Sequence, residues 1–261
     1  MKLNFFKMQA QGNDYLFFDF LHENVPQIDF PKLARKICNR HFGVGADGIV
    51  LISKASENDA SMKIYNADGS QAEMCGSALR CTIAYLHLLS EKKSFSIQTK
   101  AGQRVGWVIS NEESPIVKAD FGLPKLISKN LIRIEKFEGL AVSIGNPHFV
   151  TFADNLDSDI AEKFGPEIEI NEFFPERTNI EFVKIISSNE IEIKVWERGT
   201  GETLACGTGA CAAVFAGIHQ KLLENSVDVI FPGGTLKVEF NGENIFLIGK
   251  VDFVFSGVYE F

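Results

Sequence analysis

The sequence predicts an α+β protein made of two similar domains, and three observations carry that expectation. Stretches in which apolar and polar residues alternate, bounded by Gly, Pro or Asn, recur along the whole chain. Helical patterns are few, and the two longest each begin just after a Cys-Gly pair, at Cys75 and at Cys206. The chain also matches itself when slid by 131 residues, which places Cys206 on Cys75 and Gly207 on Gly76.

In order, the strand candidates are LNFFKMQ, YLFFDF, IVLIS and SMKIYN, then FSIQTK, GWVIS, IVKADF and LAVSIG, then IEFVKII, EIEIKVWE, VDVIF, TLKVEF and IFLIG. Their β-branched and aromatic content suits a pleated surface. Four segments read as helices. FPKLARKICNR is opened by Asp29 and Pro31, GSALRCTIAYLHLL follows Cys75, LDSDIAEKF is short, and GTGACAAVFAGIHQKLL follows Cys206.

The self-match extends upstream of the cysteines. MKIYNADGSQAEMCGS from Met62 lies over IKVWERGTGETLACGT from Ile193, so that Asn66 falls on Glu197 and Ser77 on Thr208. At an offset of 133, QGNDYLFF lies over IGNPHFVT, with Asn13 on Asn146. Two anchors in one strand-then-helix context favour two related domains over the alternative, a single strand-rich domain. A boundary near Ser110 to Pro115 gives domains 1–113 and 114–249, with the last strand, 250–261, completing the first.

Composition excludes several function classes. A chain of 261 residues suits one large domain or two of ordinary size. Apolar residues at 45% and charged residues at 23% are those of a soluble globular protein, and no apolar run approaches the roughly 20 residues of a membrane span. Polar Gln, Asn and Asp interrupt the N-terminal region where a signal core would run, so a cytoplasmic location is expected. A net charge of -8 without a compact Lys/Arg block argues against nucleic acid as a partner. Five cysteines are an odd count for a disulfide framework, and their spacings lack the C-x2-C knuckles of zinc sites. GVGADG, residues 43–48, matches the dinucleotide fingerprint in letters only, because it follows a helix and runs into a strand.

The chemistry is therefore expected in the thiols themselves. A helix start offers unpaired N–H groups and the positive end of the helix dipole, which stabilise a thiolate or a bound carboxylate and pull a cysteine pKa toward neutrality. A carboxylate held by two such starts would have a thiol on each side. One thiolate could then remove the proton beside the carboxylate while the other thiol returns one to the opposite face, with no metal and no pyridoxal phosphate. Cys38, Cys81 and Cys211 are expected to be buried packing residues instead.

These motifs resemble the diaminopimelate epimerase family over essentially the whole chain, through GNDYLFFD, NADGSQAEMCG, GNPHFV, RTNIEF and ERGTGETLACGTGACAA. The resemblance implies two domains, each a barrel-like, mostly antiparallel sheet around a central helix, with the active site in the interdomain cleft, and a homodimer. It implies cofactor-independent epimerisation of LL-2,6-diaminopimelate to the meso form, with Cys75 and Cys206 as the acid/base pair. Gly76, Ser77, Gly207 and Thr208 would bind the reacting carboxylate through their amides. Asn13, Asn66, Asn146, Asn179, Glu197 and Arg198 would bind the rest of the substrate, Arg198 holding its distal carboxylate and Glu197 its ammonium. His148 and Glu197 would tune the thiols. The chain departs from the family in CGSALR, where Ser77, Ala78 and Leu79 replace the usual Asn, Gly and Ala, and at Gly48, where some members carry Gln. These departures leave open a racemase of different specificity, such as one for proline or hydroxyproline. From another class, a non-catalytic amino-acid binder or thiol redox sensor is the further alternative.

Overall fold

The computed structural model describes residues 2–111 and 114–260. Its contacts divide the chain into two compact units, one running to Ala119 and resuming at Gly249, the other spanning Asp120–Ile248. The expected boundary lies between 113, outside the described residues, and 114, within them. Among the described residues, no helix is long and apolar enough to cross a membrane.

The first unit contains, in order, β1 (Lys2–Ala10), β2 (Asn13–Phe20), α1 (Phe30–Ile37), β3 (Gly48–Ser53), β4 (Ala60–Asn66), β5 (Gln71–Ala72), α2 (Gly76–Ser90), β6 (Ser94–Thr99), β7 (Gly102–Asn111) and β8 (Pro115–Asp120). The strands pair antiparallel except at two joints, β2 with β3 and β4 with β6, which run parallel. The chain's last strand, Asp252–Glu260, pairs antiparallel with β1. Helix α2 packs against β1, β2, β4, β6 and β7. That position explains why GSALRCTIAYLHLL shows no polar stripe: a helix apolar all round has sheet all round it. Helix α1 covers the other sheet face, where Leu33, Ala34 and Ile37 pack with Leu16, Phe18, Ile49 and Leu51. With a helix on each face, β2 is buried on both, and its run YLFFDF is nearly continuous rather than alternating.

The second unit repeats this plan. It contains β9 (Lys125–Leu126), β10 (Ile132–Ile134), β11 (Phe137–Ser143), β12 (Pro147–Phe152), α3 (Ile160–Glu169), β13 (Asn179–Ser187), β14 (Glu190–Glu197), β15 (Gly201–Thr203), α4 (Gly207–His219), β16 (Ser226–Phe231), β17 (Gly234–Phe240) and β18 (Ile245–Lys250), so that the last strand of the chain is β19. Parallel joints recur at β12 with β13 and at β14 with β16. The registers also repeat: Tyr15 opposes Gly48 as His148 opposes Asn179, and Ile49 opposes Tyr65 as Ile180 opposes Trp196. Helix α4 packs against β11, β12, β13 and β17, and α3 covers the opposite face, where Ile160, Ala161 and Ile168 meet Phe149, Ile180 and Phe182.

Helix ends differ from the sequence expectation for local reasons. Helix α1 is capped as expected, Asp29 Oδ1 accepting from Lys32 N–H at 2.9 Å, but it stops at Ile37. Helix α4 ends at His219 rather than running through QKLL, because Lys221 takes a left-handed φ of 61° and Leu223 folds back over Gly217. Helix α3 lies later than LDSDIAEKF and continues through Pro166 to Glu169. There Gly165 permits a close approach to Trp196, since a Cβ would sit 2.3 Å from its Cγ.

Candidate active site

Each unit presents a cysteine as the extended residue capping its enclosed helix. Cys75 precedes α2 with φ -138° and ψ 128°, and Cys206 precedes α4 with φ -127° and ψ 115°. A short strand pair delivers each of them: β4 and β5 before Cys75, β14 and β15 before Cys206. Sheet pairing thus aims the chain into the helix, and the first N–H groups of that helix are left for capping or for a ligand.

In the first unit, Asn13 follows a turn in which Gln11 and Gly12 have φ of 50° and 84°, and its Nδ2 donates to Cys75 Sγ at 3.8 Å. Asn13 Oδ1 is buried and lacks a hydrogen-bond partner among the described residues. Asn66 ends β4, and its Nδ2 donates to Ser70 Oγ at 3.0 Å, stabilising the turn that leads into β5. Gly76 and Ser77 open α2 and are buried. Ala78 and Leu79 are fully buried beside them. Gly48 is explained by its surroundings: a Cβ there would lie 2.7 Å from the Tyr15 ring and 2.5 Å from the Tyr65 carbonyl oxygen. Tyr15 thus occupies the space that a longer residue at 48 would need.

The strand starts on either side of this half-site are clamped by charge. Lys7 Nζ lies 2.6 Å from Asp14 Oδ2, and Arg40 bridges Asp14 at 2.8 Å and Asp47 at 2.9 Å. Burial raises the Asp14 carboxyl, but its bonds to Arg40 and Lys7 outweigh this and hold it below the ordinary 3.8.

The second unit is more elaborate. Asn146 follows Gly145 with φ 98°, and its Nδ2 donates to Thr208 Oγ1 at 3.4 Å, while its Oδ1 lies 3.1 Å from His148 Nε2. His148 is fully buried, and its Nδ1 lies 2.7 Å from Oε1 of the equally buried Glu181. Thr208 Oγ1 sits 3.5 Å from Cys206 Sγ, and Gly209 N–H donates to the same sulfur at 3.3 Å. Asn179 is buried, accepts Arg198 N–H at Oδ1 over 3.0 Å and donates from Nδ2 to the Pro147 carbonyl at 2.8 Å. Glu197 accepts from Thr203 Oγ1 and contacts the Cys206 thiol. Arg198 is exposed, and its Nη1 donates to the Glu176 carbonyl at 3.0 Å.

Electrostatics at Cys206 correct one expectation. A helix start alone lowers a thiol pKa, and the Thr208 and Gly209 bonds act in that direction. Burial nevertheless pushes Cys206 well above its ordinary value, and the negative charges of Glu197 and Glu181 push the same way. Burial likewise raises Glu197 above its ordinary 4.5. Cys38, Cys81 and Cys211 are buried, and burial takes the Cys38 thiol up to about 12.

Sequence reasoning missed Glu181 and Glu169. Glu181 lies two residues after Asn179 in RTNIEF, so strand alternation puts both on one face, a signal that was readable. Glu169, the last residue of α3, holds the turn that bears Arg198. Its carboxylate accepts Gly199 N–H at 3.0 Å, Trp196 Nε1–H at 2.7 Å and an Arg177 Nη1–H at 3.2 Å, and only the packing of α3 on β14 brings these together.

Comparison with known proteins places this arrangement. The family profile described as diaminopimelate epimerase matches residues 5–127 and 140–254. The chain is 40% identical to the diaminopimelate epimerase of Halothermothrix orenii, over 98% of each chain, and 38% identical to that of Methanococcus maripaludis, over 98% of this chain and 99% of the other. Among solved structures it shares its fold with a PhzF-family phenazine biosynthesis protein of Bacillus anthracis (TM-score 0.77, 16% identity, 100% of both chains). A hydroxyproline epimerase of Agrobacterium vitis has the same fold (TM-score 0.73, 12% identity, 99% of this chain and 91% of that one). Identity at this level over nearly the full length, with a family profile whose matched residues include the motifs named above, makes the chain a member of the diaminopimelate epimerase family.

Proposed function

We propose that this protein interconverts LL- and meso-2,6-diaminopimelate, with Cys75 and Cys206 as the two acid/base groups and no cofactor. The observation that carries the reading is the pair of cysteines, each capping an enclosed helix at the same place in its unit, in a chain 40% identical to a diaminopimelate epimerase. In one direction a thiolate takes the α-proton: the C–H bond breaks, an S–H bond forms, and the electron pair moves toward the adjacent carboxylate. The second thiol then gives its proton to the opposite face of that carbon and becomes the thiolate. The amides of Gly76, Ser77, Gly207 and Thr208 stabilise the charge on the carboxylate. Asn13, Asn66, Asn146, Asn179, Glu197 and Arg198 bind the remainder of the substrate, and its distal amino-acid end sets specificity over proline.

The test is stereochemical inversion without added cofactor across a panel of amino acids, with solvent deuterium followed at the α-carbon. Cys75→Ala and Cys206→Ala should each abolish inversion. Intact inversion in either variant defeats the two-thiol mechanism, and faster turnover of proline than of diaminopimelate assigns the chain to the other racemase class.

We also propose a cytoplasmic homodimer. Supporting an interface on β19, Phe253 and Val258, which the register with β1 places on one sheet face, are 50% and 61% exposed. Light scattering should give twice the 29.0 kDa chain mass, and Val258→Asp should halve it.

A further inference from the structure

Beneath Cys206 the side chains form a closed circuit. Glu181 Oε1 meets His148 Nδ1, His148 Nε2 meets Asn146 Oδ1, Asn146 Nδ2 donates to Thr208 Oγ1, and Thr208 Oγ1 faces Cys206 Sγ. Gly209 closes the circuit, donating to the sulfur while its Cα rests against Glu181. Glu181 lies 2.7 Å from His148 Nδ1, His148 Nε2 lies 3.1 Å from Asn146 Oδ1, and Asn146 gives its NH2 to Thr208. Thr208, having accepted from Asn146, keeps its own O–H for the sulfur.

Among the described residues, the first unit has no carboxylate in the place of Glu181. The repeated registers set Tyr15 where His148 stands, Val50 where Glu181 stands and Ala78 where Gly209 stands. Glu181 Oε2 is also buried without a hydrogen-bond partner among the described residues, which costs stability that a valine would not. A buried, half-satisfied carboxylate kept on one side only points to work done on that side.

We propose that Glu181 is a positioning residue for the Cys206 thiol. Its buried carboxylate fixes the His148 ring, and through Asn146 that ring sets the Thr208 hydroxyl against the sulfur. The inference rests on the two-thiol reading, and it makes the two thiols chemically unequal.

The experiment begins with epimerisation by the unaltered enzyme, which tests that reading alone. Two further measurements compare Glu181 variants with it. In a Cys75→Ala background, iodoacetamide should alkylate Cys206 more slowly once Glu181→Gln is added, because the lost positioning outweighs removal of the Glu181 charge that raises this thiol; faster alkylation, the effect of the charge alone, overturns the proposal. In active enzyme the same change should lower kcat about tenfold and leave KM within about twofold. Glu181→Val, which copies the first unit, serves as the second variant if the glutamine protein does not fold. A folded Glu181 variant with unchanged alkylation and kcat overturns the proposal.

Discussion

Gly209 and Glu181 specify one another: a Cβ at position 209 would lie 2.6 Å from Glu181 Oε1 and 3.2 Å from the Cys206 Cβ. Gly209→Ala should therefore cost about 1–3 kcal/mol, as overpacking does, and lower kcat by displacing the carboxylate. Combining it with Glu181→Val reproduces the Ala78 and Val50 arrangement and should recover much of the stability. A double-mutant cycle in urea checks this, and simple additivity would contradict direct contact.

Glu169 holds the Arg198 turn through three donors, so Glu169→Ala releases Gly199 N–H, Trp196 Nε1–H and Arg177 together. If Arg198 reads the distal carboxylate, KM for diaminopimelate should rise about tenfold while kcat changes less. Steady-state kinetics decide it: an unchanged KM separates the turn from substrate binding.

Burial raises the Glu197 carboxyl, and its bonds to Thr203 and Cys206 offset only part of that. A folded pKa above the unfolded one gives a contribution to stability that is complete below the ordinary 4.5 and is lost as pH rises through the folded value. Glu197→Gln keeps an acceptor for Thr203 and cannot ionise. Its Tm relative to the unaltered protein should climb between pH 4.5 and 7. A difference that stays flat over that range would place the carboxyl at its ordinary value.

Asp14 titrates in the opposite sense, its folded pKa being depressed by Arg40 and Lys7. Its contribution is present above the ordinary 3.8 and disappears as pH falls through the lower folded value. Asp14→Asn should cost about 3 kcal/mol at neutral pH by leaving the Lys7 ammonium buried and unpaired, measured as a denaturant midpoint. The same change should flatten the acid limb of the stability curve; an acid limb that is unchanged would assign it to other carboxylates.

Local chemistry made much of this molecule readable. Alternation located most strands, Asp29 and Pro31 marked α1, and two Cys-Gly pairs on one offset marked both enclosed helices. Where a strand escaped notice, alternation failed for a physical reason. PHFVTF, which became β12 and carries His148, is buried nearly throughout because α3 and α4 cover its two faces. Strands β5, β9 and β15 have two or three residues each, too few to show a period.

Sequence by itself determined the family, the α+β class, the internal repeat and the two cysteines, because each is written in residue types and spacings along one chain. Tertiary structure alone decided which groups surround those cysteines. Glu181, His148, Asn146 and Thr208 come from three strand or turn segments and a helix start, and they meet at Cys206 only through strand register and the close approach allowed at Gly209. Even the sign of the thiol's pKa shift was decided there. The helix start, legible in sequence, lowers it, while burial and two carboxylates contributed by other strands raise it more.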